Sequence, residues 1–375
     1  MKRKLLTDKL SKITAKGIDK IFVVFFFILL SVPILKISNE EISEKEKRVL
    51  AKYPSLIFET KLNEKFGPEF DKWFNDHLGG RNELIKLNSK IREKLDNFNQ
   101  NEHVLKGNEN WLFYKGDNSL NNFQNKDIFT DEQLKKIVKY LVDIDNWAKN
   151  NKKSFYFVIV PDKNKIYGEY ITSLKKVRPD KEGRAFQLED YLIKNTPVKV
   201  IYLYRTLISN KNKELLYYKH DTHWNDYGAY LSYLEIINAI KKDYNSLIPV
   251  KILRYDVVSY ETGDLSPLLN YAVSKDNSKY LKPQIDDNSI CVHGKRKTLR
   301  CKNRQKKLRA FVLCDSFSNA LNLYFNNTFN DVKYVRHRDI RFDDLEYIKK
   351  NADIIILEIV ERYLPNLLHL KFPKD

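Results

Sequence analysis

Residues 104 to 375 alternate between two hydrophobic rhythms. Phe155 to Val160 is six apolar residues without a break, closed by Pro161. A run of that length reads as a strand buried on both faces of a parallel sheet. Leu308 to Leu313 and Ile354 to Ile359 have the same largely apolar character, Val198 to Leu203 is a shorter version, and Trp111 to Tyr114 predicts a short strand of its own. Between these runs apolar positions recur every three or four residues. Leu134, Ile137, Val138, Leu141, Ile144 and Trp147 follow Thr130 and Gln133, which stand at capping-box spacing. Further helices are expected near Glu182 to Asn195, after His223 with Tyr230, Leu231, Leu234, Ile237 and Ile240 on one face, and over Phe317 to Phe325. Strand and helix in this alternation predict a three-layer α/β domain with a central, mostly parallel sheet over residues 101–375.

The amino-terminal quarter has a different pattern. Residues 1–20 carry seven Lys or Arg against two Asp, and the run Ile21 to Leu35 that follows is uncharged and ends at Lys36. Fifteen apolar residues fall short of the roughly 20 that span a bilayer comfortably, but flanking lysines snorkel and the bilayer thins. The same length fits a signal-peptide core, and no small-x-small cleavage site follows. The expectation is therefore a basic cytoplasmic tail over 1–20 and an uncleaved transmembrane signal-anchor over 21–36, with the remainder outside the cytoplasm. Residues 37–100 form a juxtamembrane and helical segment, in which Phe66 to Leu95 reads as helix interrupted at Gly79 and Gly80.

Composition narrows the classes. With 375 residues and 42% apolar content the chain fills a real core and is not disordered. The net charge of +18 favours anionic surfaces, part of it concentrated in Lys295 to Arg309, where nine of fifteen residues are Lys or Arg and none is acidic. No nucleic-acid motif accompanies that charge, so nucleic acid is not an expected partner. The basic run reads as a solvated loop or as a contact for an anionic polymer or lipid surface. Three cysteines, Cys291, Cys301 and Cys314, make no Cys-x-x-Cys pair and no disulfide framework; at most Cys291 bridges Cys301.

Candidate chemistry concentrates in Tyr217 to Gly228, where two histidines, two acids and four aromatics share twelve positions. A carboxylate two residues before an imidazole, as in Asp221 and His223, holds one ring nitrogen and leaves the other as a general base. The nucleophile to match is Ser316, in Cys314-Asp315-Ser316-Phe317, directly after an expected buried strand. A serine at a strand-to-helix turn exposes its hydroxyl, and backbone N–H groups around Ser316 and Phe317 would receive an oxyanion. Two other readings stay open. Asn225 or Asp226 would cap the following helix whatever the histidines do, and His220, Asp221 and His223 would suit a metal, although no further cluster of ligands is visible.

Asp-Thr-His-Trp-Asn with a downstream Asp-Ser-Phe resembles the alginate O-acetyltransferase AlgX/AlgJ group and its Gram-positive DHHW relatives, which are SGNH-hydrolase-like. Other pieces agree in order: Trp73 to His77 with Arg81, Lys106-Gly107 with Trp111 to Tyr114, Val160 to Lys163 with Tyr167, and Gly263-Asp264-Leu265. The resemblance implies an SGNH-hydrolase-like fold in permuted order, Asp-x-His before serine, with Ser316, His223 and Asp221 catalytic. It further implies acetyl transfer to hydroxyls of an extracytoplasmic polysaccharide through an acyl-serine, with a membrane-bound O-acyltransferase as donor and no cofactor or metal. Lys163, Trp224 and Arg362 are candidate substrate contacts. Cys314 stands where the family has glycine, and no Gly-x-Asn-Asp block supplies further oxyanion donors. A carbohydrate acetyl esterase with the same triad and a non-catalytic glycan-binding scaffold are the competing readings.

Overall fold

The computed structural model describes residues 17, 19–28, 31, 37–43, 48–58, 61–80, 101–172, 174, 183–269, 275–294, 298–370 and 372. These fall into two compact units, Met1–Asn97 and Phe98–Asp375. In the first, the helix Phe66–His77 sets Phe70 and Trp73 edge-on to Tyr53, and both ring nitrogens of His77 meet carbonyl oxygens, of Ser38 and Ala51. Helical residues 19–28 cover part of the expected anchor; residues 29, 30 and 32–36 lie outside the described set. Among the described residues no helix is long and apolar enough to cross a membrane. The transmembrane helix expected over 21–36 is therefore not found among the described residues.

The second unit opens with a hairpin of β1 (Val104–Lys106) and β2 (Leu112–Tyr114). Helix α1 (Asp131–Asn150) then starts at a complete capping box: Thr130 Oγ1 accepts from Gln133 N–H, and Gln133 Oε1 accepts from Thr130 N–H. The chain continues through β3 (Ser154–Val160), α2 (Arg184–Asn195), β4 (Lys199–Tyr202) and α3 (Asp226–Lys241). A second hairpin, β5 (Arg254–Ser259) with β6 (Lys279–Gln284), leads into β7 (Ile290–His293) and β8 (Leu299–Lys302). The last elements are β9 (Arg309–Cys314), α4 (Ser318–Asn326), β10 (Asp331–Arg336), α5 (Phe342–Asn351) and β11 (Ile354–Val360).

Seven strands form one sheet in the order β7-β8-β10-β9-β11-β3-β4. The five from β10 to β4 run parallel, and β7 and β8 extend the edge antiparallel. Alternation explains the unbroken apolar runs. In β3, Tyr156, Val158 and Val160 enter the core shared with α3 and α4, while Phe155, Phe157 and Ile159 enter the core shared with α1, α2 and α5. A strand covered on both faces has no polar side to show, which is the α/β arrangement the pattern predicts. Of the antiparallel edge strands β7 is exposed throughout and β8 half exposed, and a Cys291–Cys301 disulfide joins them at directly opposed positions. Cys314 is a buried free thiol.

Candidate active site

The parallel strands all end on one side of the sheet, where α/β folds hold their sites. Three loops meet there: Asp315-Ser316 after β9, Pro161-Asp162-Lys163 after β3, and Glu361-Arg362 after β11. A fourth segment arrives from before α3. Residues 216–225 fold into a tight hairpin in which Asn225 N–H donates to the Leu216 carbonyl and Tyr218 N–H to that of His223. Asn225 then caps α3 through Gly228 N–H. Gly228 is required here, because a Cβ would sit 2.2 Å from the Leu216 carbonyl oxygen. The capping and the chemical readings of this stretch are thus compatible.

The hairpin places His223 between Asp221 and Ser316. Its Nδ1 lies 2.7 Å from Asp221 Oδ1 and its Nε2 lies 2.8 Å from Ser316 Oγ. Nδ1–H therefore donates to the carboxylate, and Nε2 is left as acceptor for the serine hydroxyl. Asp221 is buried and accepts four hydrogen bonds: from the ring, from His223 N–H, from Tyr260 O–H at 3.0 Å and from Asp264 N–H at 3.1 Å. Burial pushes its carboxyl up, but the bond and charge of His223 with the two backbone donors outweigh it and hold the group well below the usual range. Gly263 lets Asp264 come this close, since a Cβ there would collide with the His220 carbonyl at 2.2 Å. The indole Nε1–H of Trp224 donates to the Phe317 carbonyl, tying the histidine segment to the serine turn.

Ser316 stands on a braced turn. Asp315 is buried, and its two oxygens accept from Phe317 N–H at 2.8 Å and Val360 N–H at 2.7 Å. Its own N–H donates to Glu358, a buried carboxyl pushed well above its ordinary value by desolvation and then by the Asp315 charge. Phe317 N–H is consequently engaged and is not the oxyanion donor expected from the sequence. Ser316 N–H has no acceptor among the described residues. Cys314 replaces the family glycine without disturbing this turn, because its side chain packs into the core and burial pushes its thiol up to about 12.

The three candidate substrate contacts are placed differently from the expectation. Lys163 is buried; its Nζ donates to the carbonyls of Tyr218, Lys219 and Asp221 at 3.1, 3.0 and 2.5 Å and lies over the rings of Trp111 and Phe113. Arg362 is buried in an ion pair with Asp162. Burial opposes its charge, and Asp162 outweighs burial, so the guanidinium stays charged and engaged. Trp224 is buried in the core. A cation costs too much to bury without partners, and these two side chains have theirs inside the protein.

Two residues of the site escape a reading of the sequence. Asp264 accepts from Thr222 N–H and Oγ1 at 2.7 and 2.6 Å, and Tyr260 reaches Asp221 from the end of β5. The only signal for Asp264 is its place in Gly263-Asp264-Leu265; Tyr260 has none. Asp264 also completes a set with Asp221 and His223 whose donor atoms lie within 4.8 Å of one another. His220 stays out of this set, its Nε2 meeting the Asn110 carbonyl. In this geometry Nδ1 of His223 is committed to Asp221 and Asp264 to Thr222.

A serine, imidazole and carboxylate hydrogen-bonded in sequence at the carboxyl ends of a parallel sheet define a domain of the serine-hydrolase type. Residues 104–328 match the family described as the SGNH hydrolase-like domain of the acetyltransferase AlgX, and the chain belongs to that family. Among solved structures, Bacillus cereus PatB1 is 18% identical with a TM-score of 0.51, the match covering 70% of this chain and 96% of PatB1. PatB1 bearing a sulfonyl adduct gives 19% and 0.50, covering 70% and 97%. The O-acetyltransferase domain of Pseudomonas putida AlgJ gives 18% and 0.47, covering 70% and 92%. At such identities the two PatB1 likenesses speak to the fold alone. No curated protein matches the sequence.

Proposed function

We propose that the protein is an extracytoplasmic O-acetyltransferase that moves acetyl groups onto hydroxyls of a secreted or cell-surface polysaccharide through an acyl-Ser316 intermediate. The observation that carries this is the continuous chain Asp221, His223, Ser316 at 2.7 and 2.8 Å. Ser316 Oγ attacks the acetyl carbonyl carbon as its proton passes to His223 Nε2, and the imidazolium returns that proton to the departing donor oxygen. A sugar hydroxyl then attacks the acyl-serine, giving its proton to Nε2, and the imidazolium passes that proton to Ser316 Oγ as the acyl–oxygen bond breaks and the serine is released. Asp221 holds Nδ1–H and stabilises the imidazolium. Ser316 N–H is the backbone donor free to meet the oxyanion.

A membrane-bound O-acyltransferase supplies the acetyl group in this reading, which rests on family membership. The basic tail before the uncharged run 21–35 supports anchoring with residues 37–375 outside the cytoplasm, and the Cys291–Cys301 disulfide supports an oxidising compartment. An acetyl esterase would use the same triad with water as acceptor. Incubating the protein with a chromogenic acetyl ester, with and without an oligosaccharide acceptor, separates the two. Acetyl transfer to the oligosaccharide and a 42-dalton adduct on Ser316, both abolished in Ser316→Ala, are expected; ester turnover that Ser316→Ala retains removes Ser316 from the chemistry.

A further inference from the structure

The basic stretch that the active site leaves unused builds a groove of about 1000 Å³ at the antiparallel edge of the sheet. Its floor is one face of the β7–β8 pair. Ile290 stands opposite Lys302 and Val292 opposite Arg300, so apolar and cationic side chains alternate on that face, while the Cys291–Cys301 bridge closes the other. Ile290 and Val292 are 75% and 66% exposed. The lining holds four cations and no carboxylate. Two are neutralised from outside the groove, Arg300 by Asp331 and Lys333 by Asp344. Lys302 and Arg304 are exposed and have no acidic partner among the described residues.

The groove is separate from the active site. Lys302 pairs with Asp331, the first residue of β10, whereas Ser316 follows the last residue of β9, which runs parallel to β10. Lys302 and Ser316 are thus about 20 Å apart along six-residue strands, while Gly294 and Thr298 carry the other end of the groove past the Leu299–Tyr334 pair, two strands away from β9. Ligand class follows from the lining. Uncompensated cations select an anion. Ile290 and Val292 line the groove together with the amides of Asn288 and Gln305, which suits the C–H faces and hydroxyls of a sugar chain. The one aromatic ring, Tyr347, has Arg300 and Lys333 over it at 5.2 and 4.3 Å, so it offers no platform for a nucleobase.

We propose that this groove is an exosite that holds a strand of acidic polysaccharide away from the acyl-transfer centre, an inference that stands whether the triad transfers or hydrolyses acetyl. The test measures binding of the full-length protein to polygalacturonate, dextran and anionic phosphatidylglycerol vesicles at two salt concentrations. Polygalacturonate should bind, more weakly at the higher salt, and dextran should not. Lys302→Glu with Arg304→Glu should weaken polygalacturonate binding tenfold or more, and Ile290→Ser with Val292→Ser severalfold. Lys135→Glu with Lys136→Glu, exposed positions on α1, makes the same change in net charge and should weaken it less than threefold. Turnover of a small chromogenic ester should be unchanged in all three, which keeps the exosite distinct from the triad. Equal losses in the two charge-reversed variants, absence of polygalacturonate binding, or vesicle binding lost with the groove variants in its place would each overturn the proposal.

Discussion

Asp221 accepts four hydrogen bonds and is buried, so its work is to keep one proton on Nδ1 of His223 and leave Nε2 facing Ser316. Asp221→Asn preserves shape but presents an amide where the ring needs an acceptor, and turnover should fall about 10⁴-fold. His223→Ala should be at least as damaging and the double variant little worse, because groups that act as a unit are not additive; losses that multiply would break the assignment. Treating the parent with a chelator belongs to the same experiment, since inactivation would show the Asp221, His223, Asp264 set holding an ion. Lys163 acts one step further back, pinning the carbonyls of the segment that carries Asp221. Burial lowers its amine from 10.5 to about 7. A lysine shifted this way lowers stability where both states are protonated, below pH 7. Its cost is relieved as pH rises from about 7 toward 10.5, because the unfolded chain still binds a proton that the folded chain has released. Urea unfolding of the parent at pH 7 and 9 should therefore show stability gained with pH relative to Lys163→Met, and parallel profiles would mean that the ammonium is not desolvated as described.

Elements differ in how plainly the sequence announces them, and the difference is burial. Strands β3, β9 and β11 are covered on both faces and read directly from unbroken apolar runs, and α1 from its period and its cap. Strand β8 is half exposed, with Arg and Lys in the pattern, and falls in the run that reads as a charged loop, while β7 is exposed throughout. The β5–β6 hairpin is equally mixed, yet it carries Tyr260 to Asp221 across 39 positions of sequence. Asp221, His223 and Ser316 were legible because their side-chain chemistry is rare in combination. Lys163 and Arg362 read as ligand contacts because sequence shows a charge and not the carbonyls or carboxylate that surround it in the structure. If the hairpin exists in part to deliver Tyr260, Tyr260→Phe should leave the fold and KM intact and lower kcat about tenfold, the value of roughly 1.4 kcal/mol for a hydrogen bond to a charged group. Circular dichroism checks the fold; an unchanged kcat would reduce Tyr260 to packing.

At the scale of the whole molecule, the question is the compartment in which this sheet is assembled. A core with two apolar layers needs no staple, but β7 at its antiparallel edge is exposed throughout, and there the chain ties Cys291 to the buried Cys301. Closing a loop with a sequence separation of ten contributes about 2–3 kcal/mol by restricting the unfolded chain, and it does so only where thiols are oxidised. Cys314, in contrast, is sealed beneath the serine turn and its thiol is pushed up to about 12, so it stays reduced and unreactive in the folded state. The two environments give a direct assay of location. Cells are quenched in acid, the protein is unfolded without reductant and alkylated, and the labelled cysteines are read by mass spectrometry. If residues 37–375 lie outside the cytoplasm, only Cys314 takes the label, and Cys291 and Cys301 follow after reduction. Without unfolding, Cys314 should resist labelling as well. Three labels before reduction would place the domain in a reducing compartment and would remove the extracytoplasmic polysaccharide as its acceptor.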